Sequence, residues 1–149
     1  MYQRILVPID GSATSSRGLQ EALSLARTCR ASLVLLHVVE YAPVMLEMAT
    51  SSTWELVARD LQTQGQDLVD AARREALAQG IACEAHVVDA AALRVCDVVV
   101  EQARQHRCDI VVMGTHGRRG VAHALIGSDA ERVIRLSPVP VLLVRADDA

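Results

Sequence analysis

Ile110-Val111-Val112-Met113-Gly114-Thr115-His116-Gly117, with Gly127-Ser128 after nine further residues, is an apolar run that ends in glycines and opens onto a segment of helical spacing. A strand that gives way to glycines just before a helix is how a chain cradles phosphate. Glycine lets the backbone take positive φ and approach a ligand closely, and a helix N-terminus offers unpaired N–H groups. The spacing is not the G-x-G-x-x-G dinucleotide pattern, and it lacks the lysine of a P-loop. It predicts a different kind of nucleotide loop.

Outward from this unit, strand and helix signals alternate to both ends of the chain. Residues 4–9 form a short β-branched run that stops at Asp10-Gly11-Ser12, a turn signal. Leu19, Ala22, Leu23 and Ala26 then recur at helical spacing, and residues 32–39 form a second apolar run. Residues 40–52 read as a loop through Pro43, although Met45, Leu46 and Met48 make it more apolar than a plain linker. Trp54, Val57, Leu61, Leu68, Ala72 and Ala76 trace one face of a long helix ended by Gly80. Residues 82–88 alternate weakly as a third strand, and Val95, Val98, Val99 and Ala103 form the next helical stripe. Residues 109–113 make the fourth strand, 128–136 a short helix, and 139–144 a fifth strand entered through Pro138 and Pro140.

Five strands alternating with four helices predict the α/β class: one open five-stranded parallel sheet, helices on both faces, and right-handed crossovers. A chain of 149 residues fits one domain, here residues 1–146 with 147–149 as a tail. Only three residues are aromatic (Tyr2, Tyr41 and Trp54), so the core is aliphatic, as suits strands covered on both faces. In an open parallel sheet ligands sit beyond the carboxyl ends of the strands, where the winding reverses. Strand order 3-2-1-4-5 brings the turn at Pro8-Ile9-Asp10-Gly11 beside the glycine loop, joining an acid to a phosphate cradle. Asp10 would then accept hydrogen bonds from ribose hydroxyls or help hold a metal ion beside phosphates. Its alternative role is local, as a helix cap or an Asx-turn.

The composition excludes several functions. All fifteen basic residues are arginine, so no Schiff-base or phosphate-binding lysine exists. A net charge of -3 argues against a nucleic-acid coat, and no apolar run approaches the ~20 residues of a membrane span. Cys29, Cys83, Cys96 and Cys108 are scattered without a C-x-x-C pair, which predicts buried reduced thiols and a reducing compartment. With nothing like a signal peptide at the start, the expected location is cytoplasmic. His37, His86, His106 and His123 have no partner at a suggestive spacing; of the histidines, only His116, inside the glycine loop, carries a functional claim.

Gly114, Gly117 and Gly127-Ser128, with Asp10 ending the first strand, resemble the universal stress protein family from residue 2 to about 145. The opening Arg4-Ile5-Leu6-Val7-Pro8-Ile9-Asp10-Gly11-Ser12 and the closing Pro138-Val139-Pro140-Val141-Leu142-Leu143-Val144 are both typical of it. The resemblance implies an adenine-nucleotide-binding domain used under stress or growth arrest, in the branch whose G-x2-G-x9-G-S pattern accompanies ATP binding. It implies that Pro8, Ile9 and Asp10 line the adenosine, with Asp10 near the ribose, and that Val38 faces the adenine through its backbone. Met113 and Gly114 would flank the ribose; Gly117, Arg118, Gly127 and Ser128 would surround the phosphates. Family members usually pair through the last strand, which here makes Val139, Val141 and Leu143 a homodimer edge. Such pairing would also cover an apolar edge strand that is otherwise an aggregation hazard.

Two residues depart from the family pattern. Relatives often carry an apolar residue and then a hydroxyl after Gly-Ser, where this chain has Asp129 and Ala130. Ala130 removes a phosphate donor, worth about 1 kcal/mol. Asp129 either stabilises a helix N-terminus, brings in Mg²⁺, or shifts preference from ATP toward ADP or AMP. The reading of the whole is a regulatory binding module. The alternatives are a slow ATP hydrolase or phosphotransferase in the same pocket, and a nucleotide-free dimeric scaffold. Efficient hydrolysis needs a residue to position water and a stabilising cation. Asp10, His116 and Arg118 are candidates, but none has an orienting partner in the sequence. Residues 41–52, beside Val38, are placed to form a lid.

Overall fold

The computed structural model describes residues 1–41, 50–116 and 126–146. Among them five strands alternate with four helices: β1 (Arg4–Pro8), α1 (Ala13–Cys29), β2 (Ser32–Val39), α2 (Ser51–Ala78), β3 (Cys83–Asp89), α3 (Val95–Gln105), β4 (Ile110–Gly114), α4 (Ser128–Leu136) and β5 (Val141–Val144). All strand pairs are parallel, as the alternation predicts, and the order β3-β2-β1-β4-β5 is the one expected to bring the Asp10 turn beside the glycine loop.

Side chains alternate across this sheet and divide the interior into two aliphatic layers. Ile5 and Val7 of β1, Leu33 and Leu35 of β2, and Ile110 and Val112 of β4 pack against Leu19, Ala22, Leu23 and Ala26 of α1 and Ala72 and Ala76 of α2. On the other face Leu6, Val34, Leu36, Val38 and Val111 meet Cys96, Val98, Val99 and Ala103 of α3 and Val133 of α4. Leu6 faces Val34 on one side and Val111 on the other, in the middle of the sheet. Each fully buried Leu, Ile or Val contributes about 1.5–3 kcal/mol relative to exposure, so the central strands β1, β2 and β4 hold most of the stability.

Local chemistry sets the helix ends. Ser12 caps α1, its hydroxyl accepting from the Ser15 N–H at 3.1 Å, and Arg30 closes the helix in the left-handed region at φ 56°. Thr50 caps α2, and Gly80 follows that helix at φ +72°. α2 has 28 residues and spans about 42 Å, well beyond the strands it covers. Its stripe is therefore uneven: Trp54, Val57 and Leu61 are only half-buried, whereas Val69, Ala72 and Ala76 are fully enclosed.

Strand ends differ from the sequence expectation by one or two residues. β5 begins at Val141 rather than at residue 139 because Pro140 has no N–H to give the ladder. The Val139 N–H donates instead to Ser137 Oγ at 3.2 Å. All four cysteines carry free thiols; Cys96 and Cys108 are buried, but Cys29 and Cys83 are only half-buried. No described helix is long and apolar enough to cross a membrane. The expected lid falls mainly on residues 42–49, and the tail on 147–149, both outside the described residues.

Candidate functional site

β1 and β4 lie side by side, yet β1 continues into α1 on one face of the sheet while β4 leads toward α4 on the other. Beyond their carboxyl ends is a cavity of about 530 Å³. That size lies within the ~300–1,000 Å³ usual for small-molecule sites. Pro8, Ile9 and Asp10 form one wall; Met113, Gly114, Thr115 and His116 form the next. Leu36, Val38 and Glu40 enter from β2 and the residue beyond it, Val95, Cys96 and Val99 from α3, and Gly127, Ser128, Asp129 and Ala130 from the start of α4. One end of the cavity is thus aliphatic and the other is built from turns and a helix terminus.

Eleven of the thirteen residues expected at the site line this one cavity: Pro8, Ile9, Asp10, Val38, Met113, Gly114, His116, Gly127, Ser128, Asp129 and Ala130. Gly117 and Arg118 lie outside the described residues. The α3 wall was not foreseen. Val95 and Val99 belong to a stripe that reads equally well as core, and Cys96 carries no motif. Glu40 and Leu61 complete the rim without a sequence signal of their own.

Asp10 is held by its own turn. Its Oδ1 accepts from the Ser12 N–H at 2.8 Å, and its N–H donates to Ser15 Oγ at 3.1 Å. Gly11 makes this turn possible at φ +80°, a conformation that strains any other residue. The local role and the place in the cavity therefore coexist: the Asx-turn fixes the carboxyl where it faces the opening.

The two described loop glycines, Gly114 and Gly127, do not use positive φ. Gly127 has φ -60°, and the only described glycines with positive φ are Gly11 and Gly80. Gly114 is required by contact instead: a Cβ there would stand 2.7 Å from the Thr14 carbonyl carbon and 2.8 Å from its side chain. Gly18 completes this close approach of α1, its own hypothetical Cβ 3.3 Å from the Gly114 nitrogen. Thr14 Oγ1 also donates to the His116 carbonyl. Buried Thr115 places its hydroxyl 2.9 Å from His116 Nδ1.

α4 starts at the cavity. The Gly127 N–H donates to the Thr115 carbonyl at 2.8 Å, which fixes the helix start beside the end of β4. Gly127 brings no capping side chain, so the positive end of the helix dipole opens toward the cavity, where anions are favoured. Asp129 and Glu131 already occupy the first turn. Burial first, and then the neighbouring carboxylates of Asp97 and Asp129, hold the Cys96 thiol above its ordinary pKa. Ala130 is 3% exposed and packs inward, without a hydroxyl to offer. Arg132 ties the helix to α3 through Asp97 at 3.3 Å. Among the described residues no arginine lines the cavity.

The profile of the universal stress protein family matches residues 1–145. A universal stress protein of Methanocaldococcus jannaschii, MJ0531, is 30% identical over 145 residues, covering 97% of this chain and 83% of its own. The solved structure of MJ0577, a universal stress protein of the same archaeon, superposes with a TM-score of 0.85 at 26% identity, covering 100% of this chain and 99% of that one. A universal stress protein solved in complex with cAMP has a TM-score of 0.70 at 26% identity and covers 98% of both chains. Fold, strand order and a sequence match from end to end agree, and the chain belongs to the universal stress protein family.

Proposed function

We propose that this protein is a regulatory adenine-nucleotide-binding module. The observation that carries the reading is the meeting of Asp10 and the uncapped start of α4 in one cavity that is aliphatic at its far end. A purine needs an apolar slot, a ribose needs an acceptor, and a phosphate needs N–H donors. The cavity offers them in that order, with Pro8, Ile9 and Val38 for the base, Asp10, Met113 and Gly114 for the ribose, and Gly127 and Ser128 for the phosphate. His116 lines the cavity beside the phosphate end, and the family resemblance makes Gly117 and Arg118 proposed phosphate contacts. The cAMP complex of a relative supports the nucleotide class.

Asp129 and Ala130 set the preference. Ala130 offers no hydroxyl, and the Asp129 carboxylate opposes each added phosphate charge, so AMP and cyclic nucleotides bind at least as well as ATP unless Mg²⁺ offsets the charge. Binding rather than turnover is the function. The Thr115 hydroxyl engages Nδ1 of His116, so that nitrogen is not left to position an attacking water.

The working form is a cytoplasmic homodimer of one-domain chains, residues 1–146, joined through β5 with Val139, Val141 and Leu143 at the edge. Leu142 of β5 and Ile134 and Leu136 of α4 are 36%, 46% and 43% exposed, apolar groups on either side of the edge that such pairing would join. Titration calorimetry with ATP, ADP, AMP and cAMP, with and without Mg²⁺, tests the nucleotide reading. Asp10→Ala is expected to weaken the best ligand about tenfold or more, and Asp129→Ala to improve ATP relative to AMP. No binding by any of the four, or an unchanged affinity in Asp10→Ala, overturns it.

A further inference from the structure

Glu84, His86 and His106 converge on the face of the sheet that carries α3, toward the amino-terminal ends of the strands and away from the cavity. Glu84 and His86 are two apart on β3 and so share a face. They pair in register with Val34 and Leu36, whose side chains belong to the layer beneath α3. His106 arrives from the C-terminal end of α3, where the chain turns through Arg107 at φ 50° into β4. The three residues read as unrelated in the sequence because the two histidines are twenty positions apart and meet only through the crossover.

We propose that Glu84, His86 and His106 form a divalent transition-metal site, best suited to Zn²⁺. One donor atom from each lies within 4.8 Å of the other two. His86 Nε2 is 3.4 Å and His106 Nδ1 is 3.7 Å from Glu84 Oε2. A tetrahedral zinc ion with bonds of about 2.0–2.1 Å sets its donors about 3.3 Å apart, so small side-chain rotations close the site. Two imidazoles and one carboxylate make a three-ligand set that leaves a fourth position for water.

The surroundings prepare these ligands. His106 Nε2–H donates to Gln102 Oε1 at 3.2 Å, which puts the lone pair on Nδ1, the atom facing Glu84. A second hydrogen bond that fixes the tautomer is characteristic of metal-bound histidine. The His106 ring is held below its ordinary pKa, chiefly by partial burial and then by His86, whose ring lies 4.3 Å away centre to centre. Nδ1 of His106 and Oε2 of Glu84 thus face one another across 3.7 Å, a gap that a bridging cation spans after a small side-chain rotation. Arg4 Nη2 holds Glu84 Oε2 at 2.9 Å and fixes the carboxylate from the other side. The Arg4 backbone is itself anchored, its N–H donating to Asp109 Oδ2 at 2.8 Å. The guanidinium also opposes a second cation, so the site is expected to hold zinc at micromolar rather than picomolar strength.

The metal-free full-length protein, titrated with ZnCl₂ by calorimetry at pH 7.5, is expected to take up one ion per chain at this site. His86→Gln and His106→Gln are each expected to weaken that uptake about tenfold or more, with circular dichroism confirming an unchanged fold. Arg4→Gln is expected to tighten it by removing the competing charge. As a second readout, Zn²⁺ should raise the melting temperature of the parent but not that of the double histidine variant. Absence of saturable uptake by the parent, or equal uptake by the double variant, overturns the assignment.

Discussion

Gly114 shows how one residue can look like a ligand-binding signal while answering to packing. Its missing Cβ makes room for the backbone of Thr14, so α1 reaches the end of β4 without a spacer. Gly114→Ala forces that contact apart and is expected to cost about 1–3 kcal/mol, read as a lowered urea midpoint at constant m-value. An unchanged midpoint would mean that α1 can shift freely. The turn at Asp10-Gly11-Ser12 and the glycine positions were legible in the sequence because turn chemistry is local. The reason for Gly114 was not, because its neighbour across the contact is a hundred residues away. The same holds for His86 and His106, which read as ordinary until the crossover brings them over Glu84.

At the scale of the element, helix existence was legible from apolar spacing, whereas the α1 cap proved to be Ser12 and not Asp10, the cap that the sequence offered. The Ser12 hydroxyl caps α1, while its backbone N–H closes the Asp10 turn. Ser12→Ala is expected to lose about 1 kcal/mol of stability. The Asp10 turn rests on the Ser12 backbone N–H, which the substitution keeps, so nucleotide binding should survive it, and a cap swap to Asp should restore stability. Equal stability of parent and Ser12→Ala in chemical denaturation would rule out the cap as a contributor. Strand limits were less legible, since a strand starts only where its backbone can join the ladder, and Pro140, which has no N–H, delays β5 to Val141. The α3 wall of the cavity was hidden for another reason. A stripe of Val95, Val98 and Val99 is identical whether it meets a sheet or a ligand.

At the scale of the molecule, the parallel sheet and its two layers followed from the alternation of apolar runs, and the strand order from the need to bring the Asp10 turn beside the glycine loop. What such runs cannot tell is which exposed apolar groups are surplus. Leu142 on the edge strand, with Ile134 and Leu136 on α4, makes β5 the proposed pairing edge. Leu142→Glu is expected to produce monomers in sedimentation velocity while leaving the circular dichroism spectrum intact. A dimer that persists in this variant would place the interface elsewhere.

Acid sensitivity is another property of the whole. The folded-state pKa of His106 is depressed from 6.5 and that of Glu84 from 4.5, the first chiefly by burial and the second chiefly by the Arg4 hydrogen bond. In both cases the unfolded chain binds more protons than the folded one between the two values. Stability is therefore lost as pH falls, first below about 6.5 through His106 and again below about 4.5 through Glu84. Urea midpoints from pH 8 to pH 4 should show both declines, and His106→Gln should remove the earlier one. A flat profile would contradict both assignments.

The contact of Thr14 with Gly114 also has a mechanical meaning. It makes one lip of the cavity as rigid as helix α1 itself, bolted to the sheet through Gly18 and buried Leu19. Any adjustment on ligand entry then falls to the opposite lip, where α4 begins. Hydrogen exchange with and without nucleotide should accordingly register protection at the start of α4, while the amides of α1 exchange at the same slow rate in both states.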